Sequence, residues 1–185
     1  MGKDWDAKYR EGGAGQEPSE LLMRMASHLP QSGRALDVAA GAGRNAVFLA
    51  ERGLDVDVVD SSAEGLRQAE ALAELRGVSI RTVLADLTSF DLGVDRYDLI
   101  VNFNYLQRDL APRIARALRP GGVVFFETYV LAQADRSNGP SNPDYLLRPG
   151  ELESLFAGLE IIHLVESDTD GRAVASLVAR HTART

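Results

Sequence analysis

The sequence predicts an α/β fold, in which a doubly wound and mostly parallel sheet ends in an antiparallel hairpin. Five short apolar segments alternate with helix-like patterns, and two further apolar segments flank the pair Asp170-Gly171. Alternating strands and helices are typical of parallel sheets with helices on both faces. An Asp-Gly pair between two strands is a strong signal for a hairpin turn. The 185 residues suit one domain, 1–185, and no linker indicates a second.

Each predicted strand is a short run rich in aliphatic or aromatic residues, bounded by glycine, proline or charged residues. In chain order the seven predicted strands cover residues 34–39, 55–60, 78–85, 97–103, 123–129, 159–166 and 172–179. The predicted helices cover residues 21–28, 44–52, 62–76, 108–118 and 149–156. Ser62 is the expected N-cap of its helix, because its hydroxyl can accept a hydrogen bond from a backbone N–H of the first turn.

Two segments fall outside this alternation. Residues 1–19 are polar and glycine-rich, but Trp5 and Tyr9 are spaced to share one face of a short helix. This N-terminal segment is therefore expected either to anchor onto the core or to act as a lid over a bound cofactor. The loop 130–147 is long and contains Gly-Pro and Asn-Pro pairs, and we expect it to gate a substrate site.

Composition argues against several classes of function. The chain has 27 acidic and 20 basic residues, a net charge of −7 and no dense basic run, so no nucleic-acid partner is expected. It has no cysteine and three scattered histidines, so neither a disulfide framework nor a metal site is expected. No apolar run approaches the roughly 20 residues of a membrane span, and the N-terminus lacks the apolar core of a signal peptide. We therefore expect a cytoplasmic protein with no membrane partner.

A glycine turn follows the first predicted strand and opens the next helix. The stretch Gly41 to Ala46 fits the pattern G-x-G-x-x-A, which lets a ligand approach the backbone closely. Asp60 ends the second predicted strand, where a carboxylate can accept hydrogen bonds from ribose hydroxyls. Together these features predict a cofactor that carries a nucleoside. The turn alone also fits a nicotinamide-binding site, or a tight strand-to-helix connection that binds nothing.

The segment from Asp37 to Gly43 resembles the first motif of the class I S-adenosylmethionine-dependent methyltransferases. Asp60 matches the acid that binds the adenosine ribose, and Asp86-Leu87 matches the pair that borders the adenine. The terminal hairpin also belongs to that Rossmann-like, seven-stranded methyltransferase fold. The resemblance implies an enzyme with S-adenosylmethionine as its cofactor. The implied cofactor contacts are Asp37, Ala39, Gly41, Gly43, Asn45, Asp60, Ser61, Asp86, Leu87 and Asn102.

A narrower resemblance is to the branch that contains the tellurite-resistance and thiopurine-type methyltransferases. It is carried by Gly43-Arg44-Asn45, Leu49-Ala50, Val59-Asp60-x-Ser62 and Trp5-Asp6-x-x-Tyr9. This chain departs from the pattern at Ala39, where the motif has its first glycine, and at Ala40, where a cysteine is common. We expect alanine to be small enough at both positions for cofactor binding to survive.

The predicted acceptor is a small molecule with a sulfur, selenium, tellurium or oxygen nucleophile. Tyr105, Arg108, Tyr129 and Arg148 are the candidate substrate contacts, because they follow strands that end at the ligand-binding edge of an open α/β sheet. No general base is evident, so no catalytic residue is assigned. The alternatives are a nicotinamide-dependent oxidoreductase and a non-catalytic S-adenosylmethionine-binding protein. No pattern in the sequence indicates an oligomeric state.

Overall fold

The computed structural model describes residues 5–12, 15–169 and 171–182, and its described strands form one seven-stranded sheet. The strands are β1 (Arg34–Val38), β2 (Asp55–Asp60), β3 (Arg81–Leu84), β4 (Tyr97–Phe103), β5 (Leu118–Tyr129), β6 (Glu160–Asp168) and β7 (Ala173–Arg180). Their order across the sheet is β3-β2-β1-β4-β5-β7-β6. All neighbours pair in parallel except β7, which runs antiparallel to both β5 and β6. The predicted fold class and its terminal hairpin are confirmed.

Helices cover both faces of the sheet, as the alternating sequence predicts. They are α1 (Trp5–Arg10), α2 (Glu20–Arg24), α3 (Arg44–Ala50), α4 (Ala63–Leu75), α5 (Leu110–Ala117) and α6 (Glu151–Leu155). Short 3-10 turns occupy Ala26–His28, Leu131–Gln133 and Pro143–Tyr145. Ser62 caps α4 as expected, with its Oγ accepting from the Gly65 N–H at 3.0 Å.

Alternating residues of each central strand enter two separate cores. Leu36 of β1 packs with apolar residues of α5 and α6 on one face, while Ala35 packs with those of α2, α3 and α4 on the other. The same alternation separates Phe126 from Phe125 in β5. Because both faces are covered, the central strands read as continuous apolar runs, which is why their positions are visible in the sequence.

Two predicted strands begin at positions that are wrong by three residues or more. β5 begins at Leu118 rather than at residue 123, because Leu118 pairs with Tyr97 and the intervening glycines are accommodated as an irregularity in the register. The Gly121 N–H donates to the His181 carbonyl at 2.6 Å, so this apparent break is held within the sheet. β3 is shorter than predicted, as expected for a partly exposed strand at the edge of the sheet.

Candidate functional site

The glycine turn lies between β1 and α3, at the point where the strand order reverses from β2-β1 to β4-β5. This switch point is where open α/β sheets bind ligands. Three residues of the turn have left-handed backbone conformations: Ala39 (φ 53°), Gly41 (φ 56°) and Gly43 (φ 75°). A Cβ on Gly43 would lie 2.5 Å from the Cβ of Ala69 in α4, so glycine is needed there for helix packing.

Ala39 occupies a conformation that favours glycine. Its φ of 53° places the Cβ close to the following carbonyl, at a cost of roughly 1–2 kcal/mol for an L-residue. Replacing the glycine of the family pattern with alanine therefore strains the backbone at this position, even though alanine is small. The turn still adopts the left-handed geometry that the motif requires.

Asp60 closes the turn from the neighbouring strand. Its Oδ2 accepts from the Gly41 N–H at 2.7 Å and its Oδ1 accepts from the Ser62 N–H at 2.8 Å. Burial raises the pKa of this carboxyl, while hydrogen bonds from the backbone of Ser62, Gly41 and Ser61 act in the opposite direction. Asp60 thus sets the shape of the turn before any ligand is considered.

Asp37 is buried beneath the same turn. The Ala46 backbone N–H is hydrogen-bonded to its carboxylate, but Oδ2 has no partner among the described residues. Burial raises the pKa of Asp37 to about 8, and the charge of Asp60 adds to the increase. The hydrogen bond from Ala46 and the positive charge of Arg44 act in the opposite direction. A buried acidic oxygen without a donor is unusual in a folded protein.

Asn102 is the second such group. It is the penultimate residue of β4, pairs with Val38 of β1 and is fully buried. Its Nδ2 donates to the Tyr105 carbonyl at 2.8 Å, while its Oδ1 has no partner within the described ranges 5–12, 15–169 and 171–182. Two buried oxygens without a partner among the described residues therefore lie on neighbouring strands at the switch point.

The remaining predicted cofactor contacts have different surroundings. Asp86 is exposed after β3, where its Oδ1 accepts from the backbone and hydroxyl of Thr88, and Leu87 is buried next to it. Asn45 is buried, and its Oδ1 accepts from the Ser19 N–H at 2.8 Å. Asn45 thus connects α3 to the start of α2, and its contact with a cofactor stays a prediction.

Helix α1 lies against the cofactor turn. The Gln68 side chain donates to the Tyr9 carbonyl at 2.9 Å, and Asp6 accepts from the backbone N–H of Glu64 at 3.1 Å. A Cβ on Gly41 would overlap the Tyr9 hydroxyl, so the phenol rests directly on the glycine turn. Burial raises the pKa of Tyr9 to about 12, and the charges of Asp60 and Asp37 add to the increase. No residue of α1 is fully buried, and the roles of anchor and lid both stay predictions.

These features fit S-adenosylmethionine. Its ribose hydroxyls and ammonium group are donors, and Asp60, Asp37 and Asn102 supply carboxylate and amide oxygens at one end of adjacent strands. Its carboxylate suits the backbone N–H groups of the glycine turn, where a helix begins. Apolar Leu87 offers a surface for the adenine. The residues that would hold the cofactor are those of the turn together with these four.

Comparison with known proteins supports the same family. Residues 35–122 match the protein family described as a methyltransferase domain. The chain is 34% identical over 134 residues to glycine/sarcosine N-methyltransferase of Halorhodospira halochloris. The aligned region covers 67% of this chain and 47% of that protein. Residues 35–122 thus match a methyltransferase domain, and the described sheet has the class I methyltransferase fold.

The names of other similar proteins refer to different substrates. The chain is 33% identical over 108 residues to tRNA 5-carboxymethoxyuridine methyltransferase of Escherichia coli K12, covering 54% of this chain and 41% of that protein. Its fold matches TehB of Haemophilus influenzae with a TM-score of 0.72 at 20% identity, covering 95% of this chain and 65% of that one. The chain spans about half the length of the curated relatives it matches. The TehB similarity shows the shared fold, and membership of the tellurite-resistance branch stays a prediction.

The predicted substrate contacts do not form one cluster. Tyr105 is half-buried and donates its hydroxyl to Gln107 Oε1 at 2.8 Å. Burial raises the pKa of Tyr105, and the charges of Asp86, Asp109 and Asp60 add to the increase, which places this phenol among the acids on the cofactor side. Tyr129 ends β5. Arg148 is exposed; its backbone N–H donates to Glu151 Oε2 at 2.8 Å and its carbonyl accepts from the Glu151 N–H at 3.0 Å.

The guanidinium of Arg108 is largely occupied within the chain, and its contact with a substrate stays a prediction. Its guanidinium donates to both Glu151 carboxylate oxygens, at 2.6 and 3.1 Å, and to the carbonyls of Asp144 and Leu146, at 2.9 Å each. Few donors remain for a substrate. Arg108 fastens the end of the long loop to α5 and α6.

The same loop is held at its other end, which weakens its predicted role as a gate. Fully buried Gln133 donates to the Asn138 carbonyl at 2.6 Å and accepts from the Ala173 N–H at 2.8 Å. Arg136 pairs with Asp168 of the hairpin. A loop fixed to β7, to the hairpin and to α6 forms a wall rather than a flexible cover.

A cluster that sequence reasoning missed lies at the same edge of the sheet. Glu127 in β5 is buried, accepts from the Ser176 hydroxyl at 2.7 Å and pairs with Arg172 at 3.0 Å. Arg172 also donates to Asn104 Oδ1 at 3.1 Å. In the sequence, Glu127 could have been noticed as a charged residue within an apolar strand. Ser176 and Arg172 belong to β7 and the turn before it, and only the sheet order brings them beside β5.

Three further observations concern metal binding, membrane spans and a cavity. No described residues form a group of His, Cys, Asp or Glu that could hold a metal ion. No helix within the described ranges is long and apolar enough to cross a membrane. A cavity of about 350 Å³ lies at the opposite, amino edge of the sheet, lined by residues that include Arg34, Asp57 and Arg81. Asp57 accepts from both arginines there, so this cavity is bounded by ion pairs and is remote from the glycine turn.

Proposed function

We propose that this chain transfers the methyl group of S-adenosylmethionine to a small-molecule acceptor. The observation that supports it most directly is the meeting of the left-handed glycine turn with Asp60 and with the unpaired oxygens of Asp37 and Asn102. When bound, S-adenosylmethionine supplies an electrophilic methyl group on a sulfonium centre. The nucleophile of the acceptor forms the new bond to that carbon, and the electrons of the old bond remain on sulfur.

The chain's own contribution to such a reaction is positioning and exclusion of water. Asp60 and the turn would fix the nucleoside, while the walls near Tyr105 and Tyr129 would orient the acceptor. Holding two reactants in line can provide several kcal/mol of the barrier reduction. No described side chain of this site is a clear general base, which favours a sulfur, selenium or tellurium nucleophile over a neutral hydroxyl. Among its relatives, one is named for an N-methylation and another for a tRNA uridine.

We also propose that α1 acts as a lid. Tyr9 rests on Gly41 and is flanked by Asp37 and Asp60, so a ligand in the turn would share this space with the phenol. Hydrogen bonds from Glu64 and Gln68 of α4 hold the helix, the Tyr9 ring packs against Gly65, and no residue of α1 is fully buried. Few buried contacts imply a low cost of opening. Opening admits the cofactor, and closure retains it.

The test measures methyl transfer to a panel of acceptors through the amount of S-adenosylhomocysteine formed. The panel contains small thiols, selenite, tellurite, catechols, glycine and total tRNA. Turnover with a small molecule supports the proposal. Tight S-adenosylhomocysteine binding with no turnover of any acceptor favours the non-catalytic binding protein, and turnover of tRNA alone would replace the small-molecule acceptor.

A further inference from the structure

We propose that Arg172 binds a carboxylate of the acceptor, so that the substrate is a small carboxylic acid with an apolar or aromatic body. This inference rests on the proposed methyl transfer and adds the substrate's chemical class. Arg172 immediately precedes β7, next to the end of β5, where the Val130 N–H donates to the Ala173 carbonyl at 3.1 Å. It therefore lies at the edge of the sheet that also carries the cofactor turn.

The guanidinium of Arg172 is held in place but is not fully used. One terminal nitrogen contacts Glu127 at 3.0 Å and Asn104 at 3.1 Å. The guanidinium also lies over the Tyr129 ring, 5.4 Å from its centroid. The Nε–H is buried and has no partner among the described residues. The side chain as a whole is 40% exposed, so the guanidinium is open to solvent although its Nε–H is shielded.

Its partners are themselves fixed by the fold. The Glu127 carboxylate is 10% exposed as a side chain and accepts from Ser176 at 2.7 Å, so its position does not depend on Arg172 alone. Asn104 has a left-handed backbone (φ 61°), and its N–H donates to the Glu127 carbonyl at 2.8 Å. Non-glycine residues in that conformation persist where the surrounding structure determines them, often at binding sites.

The chemistry of this arrangement favours a carboxylate. Guanidinium groups match planar oxyanions, and a pre-ordered arginine loses little side-chain entropy on binding. Tyr129, under the guanidinium, supplies aromatic surface beside the charge, and Tyr105 follows Asn104 in the chain. Tyr105 is also close enough to Asp60 and Asp86 for their charges to affect its hydroxyl. One molecule could therefore contact Arg172 with its carboxylate and present its nucleophile towards the cofactor.

The experiment measures binding of 4-fluorobenzoate and 4-fluorobenzamide to the complex with S-adenosylhomocysteine by fluorine NMR. The two probes differ only in the charged group. We expect 4-fluorobenzoate to bind at least about tenfold more tightly, the effect of one charge-assisted hydrogen bond. Arg172→Met should remove this preference, Arg172→Lys should retain part of it, and Arg180→Met, at the far end of β7, should keep it.

Equal binding of the two probes by the wild-type complex would overturn the inference, as would an unchanged preference in Arg172→Met. If Arg172→Met does not fold, the wild-type preference and the reduced preference of Arg172→Lys decide the matter. Titration with S-adenosylhomocysteine precedes these measurements and reports separately on the proposed function. Cofactor binding without a carboxylate preference would contradict this inference alone.

Discussion

Replacing Asp60 with alanine should weaken both the fold and cofactor binding. The carboxylate accepts from the backbone N–H groups of Gly41 and Ser62, and both bonds are buried. Each buried donor left without a partner costs about 1–3 kcal/mol, and relief of the buried charge offsets part of that sum. We expect Asp60→Ala to lower the free energy of unfolding by about 2–4 kcal/mol. Asp60→Asn keeps one acceptor and should lose about half as much.

Cofactor affinity should fall in the same variants for a separate reason. Loss of a charged partner for the ribose costs about 1.5–3 kcal/mol, which is about 10- to 150-fold in the dissociation constant. Urea unfolding and calorimetric titration with S-adenosylhomocysteine measure the two effects. Asp55→Asn is the matched control, because Asp55 lies at the other end of β2 and pairs only with Arg81 at the surface. If Asp60→Ala and Asp55→Asn behave alike in both assays, Asp60 neither shapes the turn nor binds the ribose.

Three further predictions follow from the turn and its lid. Ala39→Gly should raise the unfolding free energy by up to about 1 kcal/mol, because relief of left-handed strain exceeds the added entropy of the unfolded chain; Ala40→Gly should lower it, and a loss of stability in both would contradict the strain. Because burial raises the pKa of Asp37 to about 8, the stability that this group contributes is complete below the unfolded pKa near 4 and is lost as pH rises towards 8. The wild type should therefore lose about 1.4 kcal/mol per pH unit relative to Asp37→Asn over that interval, and parallel urea-unfolding profiles from pH 5 to 8 would refute it. Tyr9→Ala should speed release of S-adenosylhomocysteine in stopped-flow measurements more than it slows binding. Val94→Ala, at an exposed residue that precedes β4 at the amino edge of the sheet, should not; equal release rates in all three proteins would exclude the lid.

The sheet was predictable because its central strands are buried on both faces. Continuous apolar runs and a glycine turn are local signals that correspond to observed elements. The antiparallel pair β6–β7 is also observed, whereas Asp170 of the predicted turn lies outside the described residues. Elements without full burial were less visible. β3 lies at the sheet edge, and the irregular start of β5 depends on its pairing with Tyr97, which no local pattern records.

The cofactor side of the site was more predictable than the acceptor side for the same reason. Asp37 and Asp60 lie at the ends of two neighbouring strands, and Gly41 and Gly43 follow the first of them, so spacing along the chain predicts that they meet. Arg172 reaches β5 only because β7 is inserted between β5 and β6, a long-range arrangement that spacing does not show. The guanidinium of Arg108 had the correct location, but its partners were invisible to the sequence and determine its structural role.

Calorimetric titration of the wild-type chain with S-adenosylhomocysteine, with NAD as the competitor ligand, tests the central claim most directly. The account predicts saturable binding of S-adenosylhomocysteine at one site per chain and no displacement by NAD. At 100 times the dissociation constant, the ligand should also raise the unfolding free energy by about 2.7 kcal/mol. Absence of binding at millimolar S-adenosylhomocysteine, or tighter binding of NAD, would contradict the assignment of the glycine turn.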